Sequence, residues 1–169
     1  LVGLLLESCK EPIYKVTIMP RGRSLGHTSF EPNQDYFLHS KSELEGRIAM
    51  ALGGRLAEIL IFGEKHMTTG AENDFQVATK IAHNMVTKWG FSTRVGTMFY
   101  DSETYDFIPK EVIEAEVNKV LKRNYSVARN LLVNNSDKLH ELAKALLEKE
   151  TLDASEVHKI LKGHRVGVR

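Results

Sequence analysis

Apolar and polar residues alternate over Ile13–Met19, with Tyr14, Val16 and Ile18 on one side and Lys15 and Thr17 on the other. A period of two predicts a half-buried strand. Pro20-Arg21-Gly22 breaks it, and Leu25–Phe30 reads as a second short strand that Glu31-Pro32-Asn33 ends. Before both, Leu1 to Ser8 reads as the tail of a buried helix, with Leu1, Leu4 and Leu5 at i, i+3 and i+4. From Ser40 the period becomes helical. Ser40 and Glu43 have capping-box spacing, and Leu44, Ile48, Leu52, Leu56 and Ile59 recur on one face. Gly53-Gly54 falls inside this helix, where each glycine costs about 1 kcal/mol relative to alanine. Such a pair marks the close approach of another backbone. Gly63 predicts the stop.

A second helical pattern runs from Ala71 to Trp89, with Phe75, Ala78, Ala82, Met85 and Trp89 as its apolar stripe and Gly90 at its end. After a loop rich in Gly, Ser, Thr and Asp, Pro109 suits a first helical turn. Ile113, Val117, Val120, Leu121, Ala128 and Leu132 then mark a long helix. Ser136 opens another, carrying Leu139, Leu142, Ala143 and Leu146. Asp153 with Glu156 caps a short last helix, which carries Val157, Ile160 and Leu161 and ends at Gly163. The expected fold class is mainly α, with a small two- or three-stranded β-sheet near the N-terminus. Residues 1–163 are expected to form one domain and His164–Arg169 a basic tail.

Composition narrows the function classes. The 169 residues are 42% hydrophobic and 27% charged, which is the balance of a globular chain and not of a disordered one. A formal net charge of +1 argues against wholesale binding of nucleic acid. The basic stretch Lys159–Arg169 lacks the interleaved aromatics of a single-strand binder. The single cysteine, Cys9, cannot form an internal disulfide. No apolar run approaches the roughly 20 residues of a membrane span. Leu-Val-Gly-Leu-Leu-Leu without an initiating methionine reads as an internal boundary of a longer chain. No Gly-x-x-x-x-Gly-Lys-Ser/Thr loop occurs, so no nucleotide site is expected in these residues.

The stretch with chemical content is Met67-Thr68-Thr69-Gly70-Ala71-Glu72-Asn73-Asp74-Phe75. Asp74 opens a stripe that continues through Ala78, Ile81 and Met85 and is otherwise apolar. A carboxylate beside an apolar face must be paired, hydrogen-bonded or bound to metal. A helix N-terminus favours its ionised form, the form a zinc ligand takes. An ordinary first-turn acid satisfies the same pattern. None of the seven histidines pairs with another at i, i+4, so no two share a helix face as metal ligands do.

Four blocks change this picture. Tyr14–Phe30 (YKVTIMPRGRSLGHTSF), Gly53–Glu58 (GGRLAE), Thr68–Asp74 (TTGAEND) and Ala82–Gly90 (AHNMVTKWG) resemble, in order and spacing, the peptidase domain of FtsH-type proteases. These are membrane-anchored, ATP-dependent zinc enzymes. Details such as Glu150–Leu152 followed by Asp153-Ala154 lean toward the mitochondrial i-AAA branch, with bacterial and plastid branches as alternatives. The resemblance implies one zinc ion per subunit, held by two histidines of a His-Glu-x-x-His helix and one distant aspartate. The intervening glutamate is the general base that activates zinc-bound water. The aspartate matches Asp74. The His-Glu-x-x-His motif is absent from this sequence and is expected immediately upstream of Leu1, so no catalytic residue is expected in these residues themselves.

Glu58 matches a family position near the metal and is implied to orient a ligand histidine, with a direct ligand role as runner-up to Asp74; a solvated helix-face acid is the plain alternative. The segment Leu25, Gly26, His27, Thr28, Ser29 and Phe30 resembles an edge strand to which an extended substrate adds, unless its own domain or a neighbouring subunit covers it. The resemblance further implies unfolded polypeptide substrates, a hexameric homo-oligomer, ATP bound only by an ATPase module upstream, and a membrane anchor further upstream. A mitochondrial inner membrane location is expected, with bacterial or plastid membranes as alternatives. A second reading is an FtsH-like scaffold module without catalytic activity.

Overall fold

The computed structural model describes residues 1–9, 12–20, 26–30, 38–101 and 108–162. Leu25 and the tail 164–169 lie outside them. The chain divides into two compact units. One comprises Val2–Cys9 and Leu38–Asn134; the other comprises Leu1, Lys10–Phe37 and Asn135–Arg169.

The helical unit is built around α2 (Lys41–Phe62). Its start is fixed by a complete capping box. Ser40 Oγ accepts from the Glu43 amide at 3.2 Å, and Glu43 Oε2 accepts from the Ser40 amide at 2.7 Å. It stops at Gly63, whose φ of 80° is easy for glycine alone. Leu44, Ile48, Leu52 and Leu56 are buried, as the period of the sequence predicts. Against them pack α3 (Glu72–Thr87) and α4 (Lys110–Asn134). Ala78, Ala82 and Ala128 are fully buried, small side chains that let the three helices pack closely. Two 3-10 turns, Glu64–His66 and Thr69–Ala71, carry the chain from α2 to α3. A four-residue helix, α1 (Val2–Leu5), lies on α2.

Two members of the expected α3 stripe are not core. Phe75 is 40% exposed and Trp89 45% exposed. Trp89 lies past the last residue of α3, out of helical phase, with its amide bonded to the Asn84 carbonyl at 3.1 Å. Polar groups take part in the core instead. The Thr87 carbonyl accepts from the Tyr100 amide at 2.8 Å, and Ser92 Oγ donates to Glu116 Oε2 of α4 at 2.8 Å. These bonds hold the returning chain on the helices.

The other unit is a three-stranded antiparallel sheet with two helices. β1 (Ile13–Thr17) lies between β2 (His27–Phe30) and β3 (Thr151–Asp153). Val16 faces Thr28 on one side and Leu152 on the other. The third strand comes from the far end of the chain, immediately before α6 (Ala154–Lys162) and after α5 (Ser136–Lys149). The turn between α5 and β3 places Glu150 at φ 61°, and its carbonyl accepts from the Ile18 amide at 2.9 Å. Leu142, Leu152, Val157 and Ile13 are buried. The alternation expected along β1 is interrupted. Its register slips between Ile13 and Lys15, so Ile13 turns inward while Tyr14 is 58% exposed. Ile18 lies beyond the strand and is 38% exposed. The α6 cap is reciprocal, as the Asp153 and Glu156 spacing predicts: each backbone amide is bonded by the other's carboxylate, at 3.0 and 2.9 Å.

Candidate metal centre

One stripe of α2 has a glycine at each end, Gly46 and Gly53. At Gly46 an added Cβ would sit 2.7 Å from Ser8 Oγ, and at Gly53 it would sit 3.1 Å from Val2 Cγ2. Between them Met50 Sδ stands 2.7 Å from the Cβ position of Gly3. Val2–Cys9 therefore runs antiparallel along this stripe, in contact with α2 at i, i+4 and i+7. The next glycine faces a carboxylate: a Cβ at Gly54 would lie 3.6 Å from Asp74 Oδ2. The adjacent glycines thus face two separate elements, the start of α1 at Gly53 and the first turn of α3 at Gly54.

Asp74 is in the first turn of α3 and half-buried. Burial raises its pKa above the ordinary carboxylate value. Among the described residues no hydrogen bond or ion pair holds its carboxylate. Such a group has its lone pairs open to a cation.

Glu58 lies one turn beyond Gly54 on the same face of α2, and it is not a solvated acid. Its Oε1 accepts from Thr68 Oγ1 at 2.6 Å. Its Oε2 is buried without a hydrogen bond, 3.0 Å from Arg55 Nη1 in an ion pair. A buried carboxylate oxygen with spare lone pairs is what a second N–H donor, such as an imidazole, would complete. Arg55 and Thr68 are neighbours that the sequence reading did not single out. The i, i+3 spacing of Arg55 and Glu58 was the available signal.

Among the described residues no three His, Cys, Asp or Glu side chains gather as a metal-holding group. A carboxylate such as that of Asp74 can ligate zinc, but catalytic zinc takes three protein ligands, so two more donors would be required. His83, half-buried on α3, has its pKa lowered by burial and by Lys88, and it lies 3.4 Å from Thr87 Oγ1. Of the expected edge strand, Thr28 is exposed, Ser29 half-buried and Gly26 exposed, and His27 to Phe30 pair with β1. Leu25 falls outside the described residues. Among the described residues no strand covers the second edge of β2.

Residues 1–160 match the model of peptidase family M41. An ATP-dependent zinc metalloprotease FtsH of Buchnera aphidicola is 42% identical over 92% of this chain and 28% of its own length. That of Haemophilus influenzae is 39% identical over 95% of this chain and 27% of its own. The ATP-dependent zinc metalloprotease YME1L1 of Mus musculus is 44% identical over 94% of this chain and 22% of its own. The chain thus spans about a quarter of the length of these relatives. With a family model covering nearly all of it, the chain belongs to peptidase family M41, as an FtsH-type zinc metalloprotease peptidase domain.

Proposed function

We propose that these residues are the part of an ATP-dependent zinc endopeptidase that supplies the aspartate ligand, Asp74, to the metal. The observation that carries this reading is the placement of Asp74. Its half-buried carboxylate has no partner among the described residues and faces Gly54, beside the glycine on which α1 docks. A His-Glu-x-x-His helix continuing into α1 would arrive at this part of α2. Asp74 would hold the zinc with the two histidines, and the buried Oε2 of Glu58 would accept from the outer nitrogen of one of them. When bound, the zinc would lower the pKa of a coordinated water and polarise the peptide carbonyl. The work of this chain is to fix one ligand, to orient another and to seat the helix that brings them.

Extended polypeptide is the proposed substrate. Its main chain would add to the edge of β2, Gly26 to Phe30, that no described strand covers, through backbone bonds that tolerate any sequence. The whole protein is proposed to be a membrane-anchored hexamer that binds ATP in a separate module. Its membrane is proposed to be the mitochondrial inner membrane, or a bacterial or plastid membrane. Among the described residues no helix is long and apolar enough to cross one.

The test is Asp74→Asn in the full-length protein. Loss of proteolysis with ATP hydrolysis retained is the expected result. Wild-type cleavage rates in that variant would remove Asp74 from the site.

A further inference from the structure

The loop that delivers Asp74 is held by very little of the usual kind. Residues 61–70 are all exposed, and the first buried side chain before Asp74 is Ala71. The N-cap of α3 is Ala71, which offers no side-chain bond to the first turn. Asp74 has no side-chain bond of its own among the described residues, so the place of its carboxylate depends on the start of α3 that carries it.

Arg55 contacts that region at three points. Its Nη2 donates to the Thr68 carbonyl at 2.6 Å. Its Nη1 pairs with Glu58 Oε2 at 3.0 Å. Its guanidinium stands over the Phe75 ring, 5.6 Å from the centroid. Thr68 closes the circuit, since its hydroxyl donates to Glu58 Oε1 at 2.6 Å and accepts from the Gly70 amide at 3.2 Å. The 3-10 turn that leads into α3 is thereby tied at its start, and the residue after Asp74 is tied as well. Only a planar fork reaches all three partners together. A lysine ammonium, a compact point charge, cannot donate to the Thr68 carbonyl, pair with Glu58 and cover the ring at once.

We propose that Arg55 is a positioning residue for the metal site, one that sets the place of the Asp74 carboxylate over Gly54 by clamping the Thr68–Ala71 turn. The proposal rests on the reading of Asp74 as a zinc ligand. It adds that the Gly-Gly-Arg-Leu-Ala-Glu block works as a unit: its glycines admit the ligand-bearing elements, while its arginine and glutamate hold the turn that aims one of them.

The experiment uses the full-length protein with R55K, T68V and D74N variants. Zinc affinity is measured by competition with a chelator, and the geometry is read from the visible spectrum of the cobalt(II) form. Amide hydrogen exchange at Gly70 and Glu72 is followed in the metal-free protein. R55K is expected to weaken zinc binding by about tenfold or more, in the range of other outer-shell partners of metal ligands. It should also alter the cobalt bands and speed exchange at Gly70, with the metal-free melting temperature unchanged. T68V should act in the same direction and carries the test if R55K does not fold. Wild-type zinc affinity and cobalt spectrum in R55K and T68V overturn the proposal. So does a loss of affinity that only follows a fall in metal-free melting temperature, which marks a general structural role. If D74N loses zinc while R55K and T68V bind it normally, the clamp fails and the ligand assignment stands. If D74N binds zinc as the wild type does, the ligand assignment itself fails, and the clamp with it.

Discussion

A buried polar atom costs more when left unpaired than its bond contributes when made, and this asymmetry explains the residues that matter most here. Ser92 and Glu116 are both buried, and the bond between them fixes the segment after α3 to α4. Ser92→Ala would leave Glu116 Oε2 without that donor and should cost about 1–3 kcal/mol in a urea titration. A loss well below this range would show that the segment is held by Val95 and Tyr100 alone. Glu58 presents the opposite case, a buried oxygen that accepts no hydrogen bond from the described residues and has only its ion pair with Arg55, in a chain whose relatives are named zinc metalloproteases. Asp74 is a third kind, a carboxylate that burial disfavours and that nothing described relieves. Of these, the sequence pattern drew attention to Asp74, because it opens an otherwise apolar stripe, and left it between a first-turn acid and a metal ligand; only the family resemblance favoured the ligand. The partners of Glu58 were not legible. Thr68 approaches it across a loop whose path no periodicity encodes.

At the level of elements, helices were read well and strand faces less so. The Ser40 and Glu43 cap, the buried face of α2 and the stop at Gly63 all follow from local chemistry. The slip in β1 and the third strand do not. A bulge shifts the inward side without changing composition, and a strand as short as Thr151–Asp153 has no period to detect. The paired glycines of α2 give a direct test of close approach. Gly54→Ala meets nothing nearer than Asp74 Oδ2, at an ordinary contact distance of 3.6 Å. It should raise stability by up to about 1 kcal/mol, the difference in helix propensity. Gly53→Ala meets Val2 Cγ2 at 3.1 Å and should fall below Gly54→Ala in a paired denaturant series. Equal gains at the two sites would mean that α1 does not press on α2.

The α6 cap carries a pH dependence. The pKa of Glu156 is lowered, first by its hydrogen bond from Lys149, and that of Asp153 is lowered, first by the Glu156 amide. Carboxyl groups with depressed values stabilise the fold above the ordinary carboxylate range and lose that contribution as pH falls through the depressed values. Both groups are solvent-facing, so the effect is local. The protection factor of the Glu156 amide, its exchange rate relative to that of an unprotected amide at the same pH, should fall on acidification through that range, and Asp153→Asn should flatten the profile. A Glu156 protection factor indifferent to pH would contradict the cap.

At the scale of the whole molecule, the chain is two compact units spanning about a quarter of its relatives' length. Fold class and family were both legible, the family because four blocks recur in order. The division into two units was not, since Lys10–Phe37 and Asn135–Arg169 join from opposite ends of the chain and no linker marks the boundary. The metal site is proposed to form only when two further donors join Asp74. That claim reduces to the zinc dissociation constant of the full-length protein, measured for the wild type and for Asp74→Asn by chelator competition. Loss of a direct ligand should weaken zinc by more than about 100-fold, beyond the range for outer-shell partners. Equal affinity in the two proteins would contradict the placement of the metal at Asp74.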